Sequence, residues 1–247
     1  MFKQLLVVTL FVAGAAQAQS SYKGSSEASF VVINSPPVSS SQTYSAKTKN
    51  EFKQNDYSAY TGFGSYVYGI TDSALNGETK SADALNLGLR YDYTITKDIF
   101  GLFVQAQYDK DLASATAFDN KLSYDLGAKY VIHKSDSINW FAELGYRHAD
   151  QTNLDQSKVS LDYGRLYSEI ENKWNESTST KLWVEYLPGL NDKTANIINA
   201  EGSVSVSMSK VLALKTALLL NHYDEKATAA VAKSDKTTWT TSLVANY

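Results

Sequence analysis

The 247-residue chain contains no cysteine. That absence excludes a disulfide framework, a lipid-anchored cysteine and thiolate metal ligands. Proline occurs three times, at Pro36, Pro37 and Pro188. So little proline suits long strands whose every backbone donor must find a partner. Neither charge sign dominates: 23 Lys and Arg stand against 26 Asp and Glu. A nucleic-acid role therefore has no electrostatic support. The three histidines, His133, His148 and His222, are too far apart for metal-ligand spacing. Beyond the N-terminus no apolar run approaches the about 20 residues a membrane helix needs. Mean hydropathy is below zero, which does not exclude a membrane. In a β-barrel only alternate residues face lipid, so the average stays polar.

The N-terminus reads as an export signal. Lys3 supplies a positive start, 5–15 (LLVVTLFVAGA) an apolar stretch, and Ala16-Gln17-Ala18 the small residues that signal peptidase requires. Cleavage is expected after Ala18. That leaves a signal peptide at 1–18 and one domain at 19–247, a length suited to a single all-β unit.

The rest of the chain divides into about twelve segments of strand length, at 21–33, 41–52, 57–70, 80–95, 98–110, 120–133, 138–149, 158–174, 178–187, 194–208, 211–223 and 236–247. Alternation is strict in the middle. Leu85, Leu87, Leu89, Tyr91, Tyr93 and Ile95 share one face, and Asn86, Arg90, Asp92 and Thr94 the other. In 57–70 the phase is ambiguous around Gly62 to Ser65. In 158–174 the apolar residues move from odd positions (Val159, Leu161, Tyr163) to even ones (Leu166, Ile170, Trp174). This predicts either a bulge near Gly164–Arg165 or a first part that stands above the membrane. The connections alternate too. Long ones fall at 34–40, 71–79, 111–119, 150–157, 188–193 and 224–235. Short ones fall at 53–56, 96–97, 134–137, 175–177 and 209–210. Short periplasmic turns and longer outer loops are the outer-membrane barrel pattern, and an even strand number puts both termini in the periplasm.

Aromatics supply a ruler. Phe100 and Tyr108 share a face eight residues apart, as do Trp239 and Tyr247. Eight residues rise about 26 Å along a strand, or roughly 20 Å along the normal after tilting, near the height of the apolar band between aromatic girdles. Tyr93, Phe100, Tyr130, Trp140, Trp174 and Tyr247 are expected in the periplasmic girdle. Tyr68, Tyr108, Tyr146, Tyr186, Tyr223 and Trp239 are expected in the outer one. The expected fold is a single antiparallel transmembrane β-barrel. Its last strand, Trp239 to Tyr247, pairs with 211–223 and with 21–33.

Several short motifs recur in a familiar order. Arg90-Tyr91-Asp92-Tyr93, Lys97-Asp98-Ile99-Phe100, Tyr108-Asp109-Lys110-Asp111, Glu185-Tyr186-Leu187-Pro188 and Asp235-Lys236-Thr237 onward resemble the YdiY-like family, also called salt-induced outer-membrane proteins. The chain departs from the family pattern at Asn34-Ser35-Pro36-Pro37, where a Gly-Asn pair is usual. The resemblance implies an outer-membrane barrel and an aromatic C-terminus read by the barrel-assembly machinery. It implies no reaction and no ligand.

Chemistry is therefore sought on the inward face. The phase puts there Lys47, Lys49, Glu51, Arg90, Asp92, Gln105, Gln107, Asp109, Asp125, Lys129, Glu143, Arg147, Glu169, Glu171, Lys173, Glu185, Glu201 and Lys215, with Lys23, Glu27, Lys121 and Lys181. Both signs are interspersed. They make either a ladder of pairs filling a narrow interior or a narrow, weakly charge-selective passage for small polar solutes. A surface binding or adhesion barrel acting through its outer loops is the competing class. An outer-leaflet hydrolase would use His148 with Asp150 or His222 with Asp224, but no nucleophile motif accompanies either pair. Asp109, Asp111 and Asp119 flank one outer loop and could meet a divalent cation or lipopolysaccharide. No cofactor motif is found: Gly62-x-Gly64 lies in a strand with no following helix. The expected partners are outer-membrane lipid, lipopolysaccharide and the barrel-assembly machinery. The expected state is a monomer.

Overall fold

A computed structural model describes residues 20–35, 39–73, 77–113, 118–192, 195–224 and 233–247. The expected signal peptide at 1–18, and Pro36 with Pro37, lie outside the described residues. Twelve strands follow in chain order: β1 (Ser21–Ser35), β2 (Ser39–Lys53), β3 (Ser58–Ser73), β4 (Gly77–Thr96), β5 (Phe100–Asp111), β6 (Phe118–Lys134), β7 (Ile138–Asn153), β8 (Lys158–Lys173), β9 (Thr178–Leu187), β10 (Ile197–Ser207), β11 (Leu212–Asp224) and β12 (Lys233–Asn246). Each pairs antiparallel with its sequence neighbours, and β1 pairs with β12, so the sheet closes into a barrel without an edge. Closure matters because a free edge leaves a row of unpaired backbone groups.

The seam is short. Five residues of β1 face five of β12, from Ser25 opposite Asn246 to Ser29 opposite Ser242. The terminal residue extends it: the Gly24 amide donates to the Tyr247 carbonyl at 2.7 Å, and the Tyr247 amide donates back at 2.9 Å. β11 flanks β12 on the other side, as the sequence predicts.

Directly opposed residues in an antiparallel sheet share a face, so one row fixes the orientation of its neighbours. Arg90, Gln105, Asp125, Arg147 and Tyr163 form an inward row across β4 to β8. Leu89, Ala106, Tyr124 and His148 form the adjacent outward row. The outer face is apolar around the girth: Leu89, Leu126, Leu144, Leu182 and Leu214 are all exposed. Such a surface suits hydrocarbon rather than water. The girdle residues Tyr93, Phe100, Tyr108, Tyr130, Trp140, Tyr146, Trp174, Tyr186, Trp239 and Tyr247 all lie exposed on it. Tyr223 does not. It opposes the inward, buried Ile197, so it leaves the outer girdle and enters the lumen.

Three further expectations change. No bulge interrupts β8, whose register with β7 runs unbroken from Thr152↔Lys158 to Ile138↔Asn172. Odd residues of β8 point inward throughout, and the apolar side switches from inner to outer face along the strand. Outward Asp162 and Ser160 are polar, with Tyr146 donating to Asp162 at 2.5 Å, as expected of a strand end standing above the apolar band. β3 likewise has one phase, with Thr61, Phe63, Ser65 and Val67 inward opposite Arg90, Gly88, Asn86 and Ala84. The expected long connections at 34–40 and 71–79 are mostly strand, because β1 to β4 run on to Ser35, Ser39, Ser73 and Gly77. The expected two-residue turn at 96–97 holds three residues, and Asp98 takes a left-handed conformation (φ 59°), as three-residue hairpins require.

One close approach shapes the interior. Gly127 faces Gly145 across β6 and β7, and the Phe103 ring lies close against both. A Cβ on Gly127 would meet that ring at 2.8 Å and the Leu144 carbonyl oxygen at 2.5 Å. The Gly127→Ala variant is therefore expected to lose about 1–3 kcal/mol through overpacking. Gly62→Ala meets only the Leu89 side chain at 3.6 Å and is expected to be near neutral. Unfolding midpoints in detergent distinguish the two; equal midpoints would contradict the close-packing account.

Candidate functional site

The register places on the inner face Lys47, Lys49 and Glu51 of β2, Arg90 and Asp92 of β4, and Gln105, Gln107 and Asp109 of β5. Asp125 and Lys129 of β6, Glu143 and Arg147 of β7, and Glu169, Glu171 and Lys173 of β8 join them. Glu185 of β9, Glu201 of β10 and Lys215 of β11 complete the set.

At mid-height several of these form a continuous belt. Arg90 binds Asp92 at 2.6 Å and reaches Glu143 on β7 at 2.7 Å, crossing two intervening strands. Glu143 also accepts from Arg165 at 2.6 Å. Arg165 turns to Glu185 at 2.8 Å, and Arg147 grips Asp125 through Nε and Nη2 at 2.6 and 2.7 Å. Arg147 stands 3.5 Å from Glu185 and Arg165 3.7 Å from Asp125, which closes the circuit. Arg90 stacks on the Phe103 ring at 4.1 Å to its centroid, and Arg165 approaches it at 5.3 Å. The glycine pair under Phe103 thus sets the height at which both guanidinium groups lie. The Glu143 and Asp125 side chains are each 1% exposed, so these charges are removed from bulk water and held by several partners each. Gln105 extends the belt to Asp125, and Gln107 carries it to Asp109.

Below the belt, toward the short turns and the termini, pairing is sparser. Lys215 bridges Glu27 at 3.3 Å and Glu201 at 3.1 Å, and Ser242 donates to Glu27 at 2.7 Å. Lys181 pairs with Glu169 at 2.8 Å and Lys23 with Glu51 at 3.1 Å. Lys129 lies over the Phe141 ring at 3.8 Å. Lys49 shares the lumen with Glu51 of its own strand and with Lys129, Glu169 and Lys181 of β6, β8 and β9, and it is exposed to solvent inside the barrel. Among the described residues Lys47, Lys49 and Lys129 form no ion pair.

Above the belt the interior is apolar on one side. Ala149, Leu161, Tyr163, Leu187, Ala195 and Ile197 form a buried cluster at the loop end. It rests on the β9–β10 connection. The Gly164 amide donates to the Pro188 carbonyl at 3.0 Å and the Leu190 amide to the Asp162 carbonyl at 2.7 Å, so this segment covers the β8 backbone beyond the end of β9. A cavity of about 190 Å³ lies between the cluster and Asn86, Asp109 and Lys121, with Arg147 at its base.

The histidine pairs sit elsewhere. His148 is on the outer face, above the apolar band, with Asp162 at 2.8 Å from Nδ1 and Asp150 at 3.4 Å from Nε2. His222 is held in the same way by Asp235 at 2.5 Å and Asp224 at 3.4 Å. The hydrogen bond to Asp162, helped by Asp150, raises the His148 pKa, and Asp235 with Asp224 does the same for His222. An imidazole clamped between two carboxylates favours its cationic form and is a poor general base. The three acidic residues near 109–119 are not gathered either. Asp109 accepts from Asn86 at 2.6 Å, and Asp119 pairs with Lys110 at 3.3 Å.

Reading the sequence misses Arg165 and Phe103, both central to the belt, and Tyr167, whose ring lies 5.1 Å from the Arg165 guanidinium and whose hydroxyl donates to Glu169 at 2.5 Å. Odd-position parity along β8 would have found Arg165 and Tyr167, between Tyr163 and Glu169; the expected bulge hid them. The parity of Gln105 and Gln107 along β5 also places Phe103 inward, but an aromatic side chain reads as a lipid-facing residue.

The family model for a protein of unknown function, DUF481, matches residues 38–247. The chain belongs to this family. The match begins beyond the Pro36-Pro37 pair at which the chain departs from the expected pattern, and it takes in β2 to β12 entirely. No curated protein matches the chain in sequence. Two solved barrels share the fold. An outer-membrane channel from Pseudomonas putida F1 is 13% identical with a TM-score of 0.54, over 94% of this chain and 96% of that one. The translocator domain of autotransporter NalP from Neisseria meningitidis is 9% identical with a TM-score of 0.51, over 94% and 89%.

Removing Glu143 strands parts of two buried guanidinium groups, a loss of about 3–5 kcal/mol for a broken buried pair. Glu143→Ala is expected to lower the unfolding midpoint in detergent sharply. Ser123→Ala should not, because the buried Ser123 hydroxyl makes no hydrogen bond. A Glu143→Ala midpoint equal to wild type would contradict the belt's structural role.

Proposed function

We propose that the protein is an outer-membrane barrel forming a narrow, weakly charge-selective passage for small polar solutes. In this reading the short turns and both termini face the periplasm. Lipid meets the apolar girth, lipopolysaccharide meets the loop end, and the barrel-assembly machinery reads β12 of a monomeric chain. The carrying observation is the belt's position between two solvent-accessible spaces. The loop-end cavity ends on Arg147, and on the far side Lys49 is exposed inside the barrel. The belt is then the constriction. Its charges nearly cancel, three arginines facing Asp92, Asp125, Glu143 and Glu185, so neither ion sign is strongly favoured. The fold shared with a channel supports the barrel and leaves the solute to this chain's own residues.

Proteoliposome swelling tests the passage. Solutes the size of glycine or urea are expected to enter, and disaccharides to be excluded. Entry of disaccharides would contradict the constriction, and exclusion of every solute would contradict the passage.

A further inference from the structure

Every strand of the barrel has two neighbours, yet the β1–β12 ladder covers only part of both strands. It ends at Ser29 opposite Ser242. Beyond that pair β1 runs on to Ser35, held by β2 alone, and β12 runs back to Lys233, held by β11 alone. Among the described residues, 30–35 of β1 and 233–241 of β12 make no pair with each other. Extending the register would set Val31 opposite Thr240. The seam therefore parts toward the loop end and leaves a row of backbone groups on each side without a ladder partner.

In the hydrocarbon layer such an edge is too costly to persist. Depth resolves the difficulty. Phe30 lies eight residues from Tyr22 on the same outward face, the interval that also separates Trp239 from Tyr247. It is exposed and packs on Tyr44 at 4.7 Å between ring centroids. Phe30 and Trp239 thus both stand at the outer girdle, and the strands part at headgroup depth, where water and polar headgroups satisfy the backbone.

The lumen wall beside the parting is uncharged. Val31 of β1 and Thr43 of β2 face inward on one side, Thr240 of β12 and Leu219 of β11 on the other. On these four strands inward charge appears only below, at Glu27, Lys47 and Lys215, and above, at Lys236. The charged groups at the loop end, Asp109, Lys121 and Arg147, belong to β5, β6 and β7, on the opposite wall. The opening is also continuous with the apolar outer surface, so the molecules that meet it are those of the membrane.

We propose that the parted seam is a lateral port, through which a membrane-dissolved amphiphile with a single apolar chain passes between the outer leaflet and the lumen. The chain enters between Val31 and Thr240, and its polar head meets the free backbone groups at the girdle. The port rests on the barrel's place in a membrane and not on conduction through the belt.

The chain has no cysteine, so introduced thiols report without background. Ser29→Cys/Ser242→Cys joins the last paired positions, and Val31→Cys/Thr240→Cys the next two on the same face. In proteoliposomes the first pair is expected to oxidise to a disulfide at least tenfold faster than the second, because a disulfide needs Cβ atoms about 3.5–4.5 Å apart. Access is then read with N-dodecylmaleimide dissolved in the bilayer, each rate divided by that of a water-soluble sulfonated maleimide. Val31→Cys is expected to give a ratio at least tenfold above that of Val67→Cys, which faces the lumen on β3 away from the seam. Folding is checked by heat-modifiable migration, and Thr240→Cys replaces Val31→Cys if the latter does not fold. Equal oxidation of the two pairs would show a closed seam and overturn the proposal. Equal ratios at Val31→Cys and Val67→Cys, or quantitative linkage of two copies through Val31→Cys, would overturn it too. Solute entry in the swelling assay is a separate readout, so either idea can fail alone.

Discussion

A guanidinium group inside a barrel must be paired. Burying a charge without a partner costs several kcal/mol, and burying it with two carboxylates returns most of that loss. Much of the interior follows from this constraint. Arg90, Arg147 and Arg165 each take more than one carboxylate oxygen, and the carboxylates come from β4, β6, β7 and β9. The belt therefore ties strands that are not neighbours in the sheet. The backbone ladder alone fixes each strand only to the next. Phe103 supplies the flat surface on which two of the arginines rest, and the Gly127–Gly145 pair supplies the room for Phe103. Sequence reaches the shape of the lumen through that chain: two glycines admit a ring, the ring sets two guanidinium groups, and these cross the lumen.

The lumen is layered along its axis. At the loop end an apolar cluster faces Asp109, Lys110, Asp111 and Lys121, the paired belt occupies the middle, and the turn end holds separate Lys–Glu pairs. Average charge conceals this order. A net charge of -3 describes a nearly neutral protein, and both signs stand at the loop end, in the belt and at the turn end, yet only the belt joins them into one network.

The barrel was legible in the sequence because period-two alternation and exterior aromatics both follow from facing lipid. Leu85 to Ile95 and Phe100 to Tyr108 show this most clearly. Where one face of a strand is not apolar, the signal fails. Upper β8 carries Val159, Leu161 and Tyr163 inward and Ser160 and Asp162 outward, the reverse of the lipid rule, and from sequence this imitates a bulge. Tyr223 misleads in the same way: an aromatic at a strand end reads as a girdle residue, but register turns it inward. The inner-face residues could be named from phase, whereas their partners could not. Arg90 meets Glu143, 53 positions away, through curvature of the closed sheet, which no local pattern encodes.

The central claim is that the paired belt sets the width of the lumen. Single-channel conductance of the Arg90→Ala/Glu143→Ala double variant, compared with wild type in planar bilayers, tests it most directly. Removing a cation and an anion together preserves net charge while clearing the side chains that cross from β4 to β7. The account predicts small wild-type steps and severalfold larger ones in the double variant, with ion selectivity little changed. Equal conductance in the two proteins would contradict it.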